Sequence, residues 1–259
     1  MTRAIRIGHL YPDVMNLYGD RGNILALVQR ARWRGIQVDV VPISLGDPFR
    51  AETVDLLFAG GDQDREQRRV AADLAGPKGD AIRAAIEAGL PALVVCGSYQ
   101  LFGQRYLPAE GPELPGLGVF DVVTEHPGVN VVRCVGNIVV DWNGSLLVGF
   151  ENHGGRTYLG PRAAPLGRVV AGYGNNGQDG TEGARYKNAF GTYLHGSLLP
   201  KNPRLTDELL RLALQQRGDD PTLAALDDSV EEAARRVAIA RARAERHAQR
   251  NVGATARPR

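Results

Sequence analysis

Cysteine and lysine are scarce in this sequence. Its 259 residues include two cysteines, Cys96 and Cys134, which cannot build a disulfide framework or, alone, a zinc site. Three of the 31 basic residues are lysines, Lys78, Lys187 and Lys201, a bias read as compositional and given no functional meaning. Basic and acidic residues nearly balance, at 31 against 29, so no overall positive field argues for nucleic-acid binding. No stretch approaches the roughly 20 apolar residues that cross a bilayer. The first residues, Met-Thr-Arg-Ala-Ile-Arg-Ile-Gly, carry no apolar signal region before a small-residue cleavage site, and a cytoplasmic protein is expected. Gly-x-x-x-x-Gly-Lys-Ser/Thr is also missing, so ATP chemistry, where needed, is expected on another polypeptide.

What is present is an ordinary apolar fraction, 43%, enough for a sizeable core. Residues 5–10, 38–43, 54–58 and 92–95 read as strands. Residues 23–34 and 80–88 carry helical patterns between them. That rhythm predicts an α/β fold with an open, mostly parallel sheet covered by helices on both faces. The middle is strand-rich, at 119–123, 131–140, 146–151 and 169–173, with Gly and Asn turns; these strands are expected to extend or flank the main sheet. Residues 188–194 form another strand. Residues 203–216 and 227–250 read as helices. The expected division is a main domain over 1–218, a helical extension over 219–250 and a disordered tail over 251–259.

The most informative segment is Pro91-Ala-Leu-Val-Val-Cys96-Gly97-Ser98-Tyr99-Gln100. An apolar strand ends at a cysteine and a helix begins at once. Such an elbow projects the side chain from a tight turn. A helix N-terminus favours the thiolate, and the Gly97 N–H is placed to meet a developing oxyanion. A buried core cysteine would leave the same local pattern, and the two readings weigh equally on the segment alone. His195, in Gly-Thr-Tyr-Leu-His195-Gly-Ser, ends a second strand. A cysteine and a histidine at neighbouring strand ends can form a nucleophile–base pair, which tips the balance toward chemistry.

These segments resemble the class I, triad-type glutamine amidotransferases of the cobyric-acid-synthase-like branch. The Cys96 elbow, the Tyr193-x-His195-Gly segment and Gly149-Phe-Glu-Asn-His-Gly-Gly-Arg-Thr157 carry the resemblance. So do Leu10-Tyr-Pro-Asp-Val-Met-Asn-Leu-Tyr-Gly-Asp-Arg-Gly-Asn23 and Gly60-Gly-Asp-Gln-Asp-Arg-Glu-Gln67, which are similar to the glutaminase subunits of lipid II isoglutaminyl synthases. The resemblance spans about residues 4 to 200 and implies a flavodoxin-like amidotransferase domain. It implies hydrolysis of glutamine through a thioester on Cys96, with His195 as general base and acid. The ammonia would pass to a Mur-ligase-like synthetase subunit, MurT, in an expected heterodimer. That partner would use ATP and Mg to amidate the D-glutamate α-carboxylate of the peptidoglycan stem peptide. No cofactor or metal is expected in this chain, nor membrane insertion. Gly61 and Gly97 would offer N–H groups to the oxyanion, and Gln100 occupies the family's position near bound glutamine. Plain turn and helix roles are the bland readings of these three. Arg133 is the candidate for the substrate α-carboxylate, since a guanidinium clamps one bidentately; a solvated strand residue is the equal alternative. His153 and Arg156 would shape the site, His153 as a structural residue because no sequence partner makes it a base.

Two departures stand out. Triad enzymes carry His-x-Glu, but Gly196 and Ser197 follow His195. Either a dyad operates or the synthetase subunit supplies the acid. Val94 and Ser98 replace the two glycines that flank the cysteine in many relatives. The eight arginines from Arg235 to Arg259 read first as a solvated helical face, and second as a docking surface for an acidic partner or RNA. Alternatives to the leading reading are an amidotransferase for cobyrinate side chains, a non-catalytic binding module on this fold, and a peptidase-like cysteine hydrolase.

Overall fold

The computed structural model describes residues 3–16, 20–62, 64–128, 130–195 and 198–255. Strands β1 (Ala4–Leu10), β2 (Gln37–Ile43), β3 (Leu56–Ala59) and β4 (Ala92–Val95) alternate with helices α1 (Arg21–Arg32), α2 (Asp64–Leu74) and α3 (Pro77–Glu87). A short helix, α4 (Gly97–Leu101), follows β4. The strand-rich middle holds β5 (Arg105–Leu107), β6 (Leu114–Pro115), β7 (Val122–Glu125), β8 (Cys134–Trp142), β9 (Ser145–His153), β10 (Arg156–Leu159), β11 (Gly167–Ala171) and β12 (Thr181–Glu182). The chain closes with β13 (Ala184–Tyr186), β14 (Ala189–Thr192), α5 (Leu198–Lys201), α6 (Pro203–Arg217) and α7 (Ser229–Thr255).

The main sheet has six strands in the order β13-β14-β4-β3-β1-β2. All pairs are parallel except β13–β14. Every residue of β3, β4 and β14 is buried, which requires cover on both faces and explains their unbroken apolar runs. The expected parallel α/β sheet is therefore present. None of the middle strands extends it; β13, the hairpin partner of β14, forms its edge. The middle strands form two separate four-stranded sheets, β10-β7-β5-β6 and β12-β11-β8-β9. Helix α2 was not read from the sequence. It is mostly polar, and only Gln67, Val70, Ala71 and Leu74 of its described side chains are buried.

The Arg-rich C-terminal helix is neither a free solvated face nor an open docking rod along its first turns. Ala238, Ile239 and Ala242 pack on Val139, Val148 and Ala171 of the β8–β9–β11 sheet, making a second, small core. Glu245 accepts hydrogen bonds from the Asn137 backbone and side-chain amide, and Arg235 donates to the Leu146 carbonyl. The segment joining α6 to α7 is tied down by arginines. The buried Arg30 guanidinium reaches Asp207 on α6 and Asp228 just before α7, while Arg34 reaches Asp207 and the Ala224 carbonyl. Residues 256–259, the end of the expected tail, lie outside the described residues. No helix among the described residues is long and apolar enough to cross a membrane.

Arg30 thus clamps α1, α6 and the approach to α7 through two carboxylates that keep some solvent contact. Arg30→Met should destabilise the fold by about 2 kcal/mol, less than the roughly 3–5 kcal/mol lost when a fully buried pair is broken. The urea unfolding midpoint, at constant m, checks this.

Candidate active site

The carboxyl ends of the parallel strands converge at one edge of the main sheet. β1 leads toward Asp20, β3 into Gly60–Gly61, β4 into Cys96 and β14 into His195. Open parallel sheets place their ligand sites at such edges.

Cys96 has φ 50° and ψ −106°. A non-glycine residue held there is strained by about 1–3 kcal/mol and persists only where its surroundings fix it. Its N–H donates to the Thr192 carbonyl of the adjoining strand at 2.8 Å, and the Ser98 hydroxyl donates to the Gly60 carbonyl at 2.6 Å. Ser98, which takes a glycine's place beside the cysteine, therefore bolts the elbow to the neighbouring turn. Val94 is fully buried beneath it. Helix α4 has only five residues, too few for a full macrodipole. What it offers Cys96 is its first-turn N–H groups, Gly97 first among them, which lack intrahelical acceptors.

His195 is fully buried, and its backbone pairs with Phe150 on β9 in both directions, at 2.7 and 3.3 Å. Behind its ring stands a residue the sequence reading did not assign. Asp20, also fully buried, places Oδ1 3.5 Å from His195 Nδ1. An acidic side chain thus stands behind His195 within this chain, brought from the loop before α1. Gly196 and Ser197 themselves lie outside the described residues. Burial opposes a charge on His195, but the Cys96 thiolate and the Asp20 carboxylate outweigh it and push its pKa up to about 10.

Gly61 sits flush against both groups. A Cβ there would lie 2.9 Å from Cys96 Cβ and 2.9 Å from His195 Cε1, so no side chain fits. Its N–H, however, donates to Asp20 Oδ2 at 2.7 Å. The expected oxyanion donation from Gly61 is thus not made in this structure, because the carboxylate behind His195 already takes that proton. Gly97 remains as the elbow's own donor.

Cys96 opens into a cavity of about 420 Å³ lined by Gln67, Gln100, Tyr106, His126, Arg133 and His153, among others. Arg133 lies in the loop before β8, not within a strand, and stands exposed at the cavity rim. Its guanidinium donates to the side chain and carbonyl of Asn152, both at 3.2 Å. It is placed to meet an anionic group on a ligand. Gln100 reaches the cavity, but its amide is committed inward: Oε1 accepts from Gln67 at 2.7 Å and Nε2 donates to the Tyr193 hydroxyl at 3.1 Å. Tyr193 continues to Thr157 and Thr124. His153 is a wall residue. Its ring stacks on Tyr193 at 3.6 Å, Nδ1 bonds the Gly155 carbonyl, and burial lowers its pKa. Arg156 ties the same wall together through the Gly154 and Val132 carbonyls. The fully buried Glu151 accepts the Tyr173 and Gly174 N–H groups. The sequence segment from 149 to 157 is therefore mostly scaffold around the cavity. The described residues contain no cluster of metal-ligating side chains.

A strained cysteine, a histidine backed by a carboxylate, a first-turn N–H and a rim guanidinium suit attack on an acyl carbon with protonation of its leaving group. Fold and site together define the glutamine amidotransferase class, with its flavodoxin-like sheet. Residues 6–203 match the CobB/CobQ-like glutamine amidotransferase domain, and the chain belongs to that family. It is 44% identical over 239 residues to the lipid II isoglutaminyl synthase (glutamine-hydrolyzing) subunit GatD of Staphylococcus aureus strain N315, covering 92% of this chain and 96% of that one. The GatD subunit of Streptococcus pneumoniae strain ATCC BAA-255 / R6 is 42% identical, with 86% of each chain covered. A cobyric acid synthase of Nocardia farcinica is 33% identical over 60% of this chain but 31% of its own length. A solved glutamine amidotransferase superposes with a TM-score of 0.54 at 19% identity, covering 80% of this chain and 98% of that one, a likeness of fold.

The charges on Cys96 and on Asp20, whose Oδ1 lies 3.5 Å from His195 Nδ1, favour the protonated ring. In Asp20→Asn, loss of the Asp20 charge should shift the alkaline limb of kcat/KM for glutamine hydrolysis, set near pH 10 by His195 deprotonation, to lower pH. The turnover at neutral pH should fall about 100-fold, the ordinary scale of general acid–base help. A pH–rate series on both proteins measures the two effects.

Proposed function

We propose that this chain is the glutamine-hydrolysing subunit of a two-subunit synthase that amidates the D-glutamate α-carboxylate of the lipid II stem peptide. The observation that carries the reading is the assembly of Cys96, His195 and Asp20 at one sheet edge, in a chain similar to GatD subunits over nearly its whole length. Cys96 attacks the carboxamide carbon of L-glutamine, and the oxyanion forms beside the Gly97 N–H. His195 gives its proton to the departing nitrogen, releasing ammonia and leaving a γ-glutamyl thioester. Water, deprotonated by His195, then attacks the thioester. Its collapse releases glutamate and restores the thiolate–imidazolium pair. Arg133 holds the substrate α-carboxylate.

The partner in this reading is the Mur-ligase-like ATP-dependent subunit, MurT, which activates the acceptor carboxylate and receives the ammonia in a cytoplasmic heterodimer. The ATP site is assigned to the partner because this sequence lacks a Gly-x-x-x-x-Gly-Lys-Ser/Thr phosphate loop. The cobyrinate alternative is weaker, because the cobyric acid synthase relatives match over a minor part of their own length and the GatD relatives match nearly end to end. The binding-module alternative is weakened by the intact assembly of nucleophile, histidine and acid.

Glutamate release from L-glutamine, measured with and without the synthetase subunit, tests the proposal. Cys96→Ala should lower it by at least about 10³-fold, the scale on which removing a nucleophile acts. Arg133→Ala should raise KM for glutamine about 10- to 100-fold with kcat little changed, as expected for a lost charge-assisted contact. Release that ignores Cys96, or hydrolysis of peptides in preference to glutamine, would overturn it.

A further inference from the structure

Gln67 is 1% exposed, lines the cavity that holds Cys96, and has no role in the chemistry derived above. It enters from α2 and packs against the elbow. A Cβ on Gly97 would overlap its Nε2 and lie 3.1 Å from its Cδ. The Gln67 amide therefore occupies the flank of Gly97, the residue whose N–H is the elbow's oxyanion donor. Its two polar atoms are in different states. Nε2 donates to Gln100 Oε1 at 2.7 Å, and Gln100 is oriented in turn by the Tyr193 hydroxyl. Oε1 has no hydrogen-bond donor among the described residues. Buried amide oxygens without a donor are uncommon in folded proteins, and one beside an active cysteine calls for an explanation.

We propose that Gln67 Oε1 is the acceptor that reads the substrate's carboxamide and distinguishes glutamine from glutamate. The inference rests on the glutaminase reading and adds its specificity device. A carboxamide presents an NH₂ group that satisfies Oε1. The carboxylate of glutamate presents only lone pairs to the same atom, so the product is repelled where the substrate is held. Sites built around a buried polar group reject an analogue that leaves it unpaired. In this structure the Gln67 amide turns its nitrogen to Gln100, which is bonded in turn to the Tyr193–Thr157–Thr124 hydroxyls, and its oxygen is left for the ligand. Gln100 is then a positioning residue acting through Gln67, which accounts for an amide that reaches the cavity yet is spent on protein partners.

The test measures binding without turnover. Cys96→Ala in the full chain is titrated calorimetrically with L-glutamine and, separately, with L-glutamate; Cys96→Ala/Gln67→Met is treated identically. The expected result is a clear preference for glutamine in the first protein. In the second, glutamine should bind about 10-fold or more weakly, while glutamate binding is unchanged or tighter. A structural defect would weaken both ligands together and leave their ratio intact, and that result overturns the inference. So does an unchanged glutamine affinity. If the double variant does not fold, a crystal structure of Cys96→Ala with bound glutamine decides: a carboxamide nitrogen within hydrogen-bond distance of Gln67 Oε1 supports the assignment, and a carboxamide oxygen there rejects it. Failure of Cys96→Ala to bind either ligand would sink the glutaminase reading itself, separately from the role of Gln67.

Discussion

A carboxylate sealed from solvent must be held by partners, or its burial would cost several kcal/mol. Asp20 is that carboxylate here, and the site is organised around it. One oxygen faces the His195 ring at 3.5 Å and the other accepts the Gly61 N–H at 2.7 Å. With the charge on Cys96, the first contact keeps an imidazolium stable in a place where burial alone would discharge it. The second holds the turn after β3 close to the Cys96 elbow, so close that only glycine fits at 61. Ser98 closes the loop by bonding back to Gly60. Nucleophile, histidine and turn are thus locked by one charge and two short hydrogen bonds.

The rest of the fold presents that lock to a ligand. Parallel pairing of β4 with β14 sets Cys96 and His195 side by side, because both strands run out at the same sheet edge. The β7–β10 and β8–β9 sheets build the cavity wall, with His153 stacked on Tyr193 and Arg133 at the rim. Asn23 and Asn202 fasten the segment that follows His195: Asn23 Oδ1 accepts the Leu199 N–H, and Asn202 bridges to Val148 on β9. Helix α7 covers the outer side of the β8–β9–β11 sheet, which lacks a large core of its own.

The sequence was legible where chemistry sits at the end of a long apolar strand. Cys96 and His195 follow β4 and β14, and the two strand-end residues taken together could be read as a pair. Asp20 could not. Its segment carried the family resemblance, but an acid was sought beside His195 in sequence, and the fold brings one from the other end of the chain. The signal available was an aspartate flanked by glycine in an otherwise unexplained segment after β1. The family resemblance implies Gly61 as an oxyanion donor; only the direction of its N–H shows a different partner. Gln67 was invisible as a polar residue on a polar helix. The parallel core was evident from period and burial, but short strands such as β5, β6, β12 and β13 have too few residues to carry a period. The division of the middle strands into two separate sheets depends on long-range pairing that no local pattern encodes. The C-terminal helix looked solvated because its arginines outnumber the few alanines and the isoleucine that pack.

The account turns on a charged His195 kept so by Asp20 and Cys96. ¹⁵N NMR of the protein with labelled histidine reports ring protonation directly. The account predicts that both His195 ring nitrogens carry protons at pH 7 and remain so until about pH 10. A His195 ring that is neutral at pH 7, titrating near the ordinary histidine value of about 6.5, would contradict it.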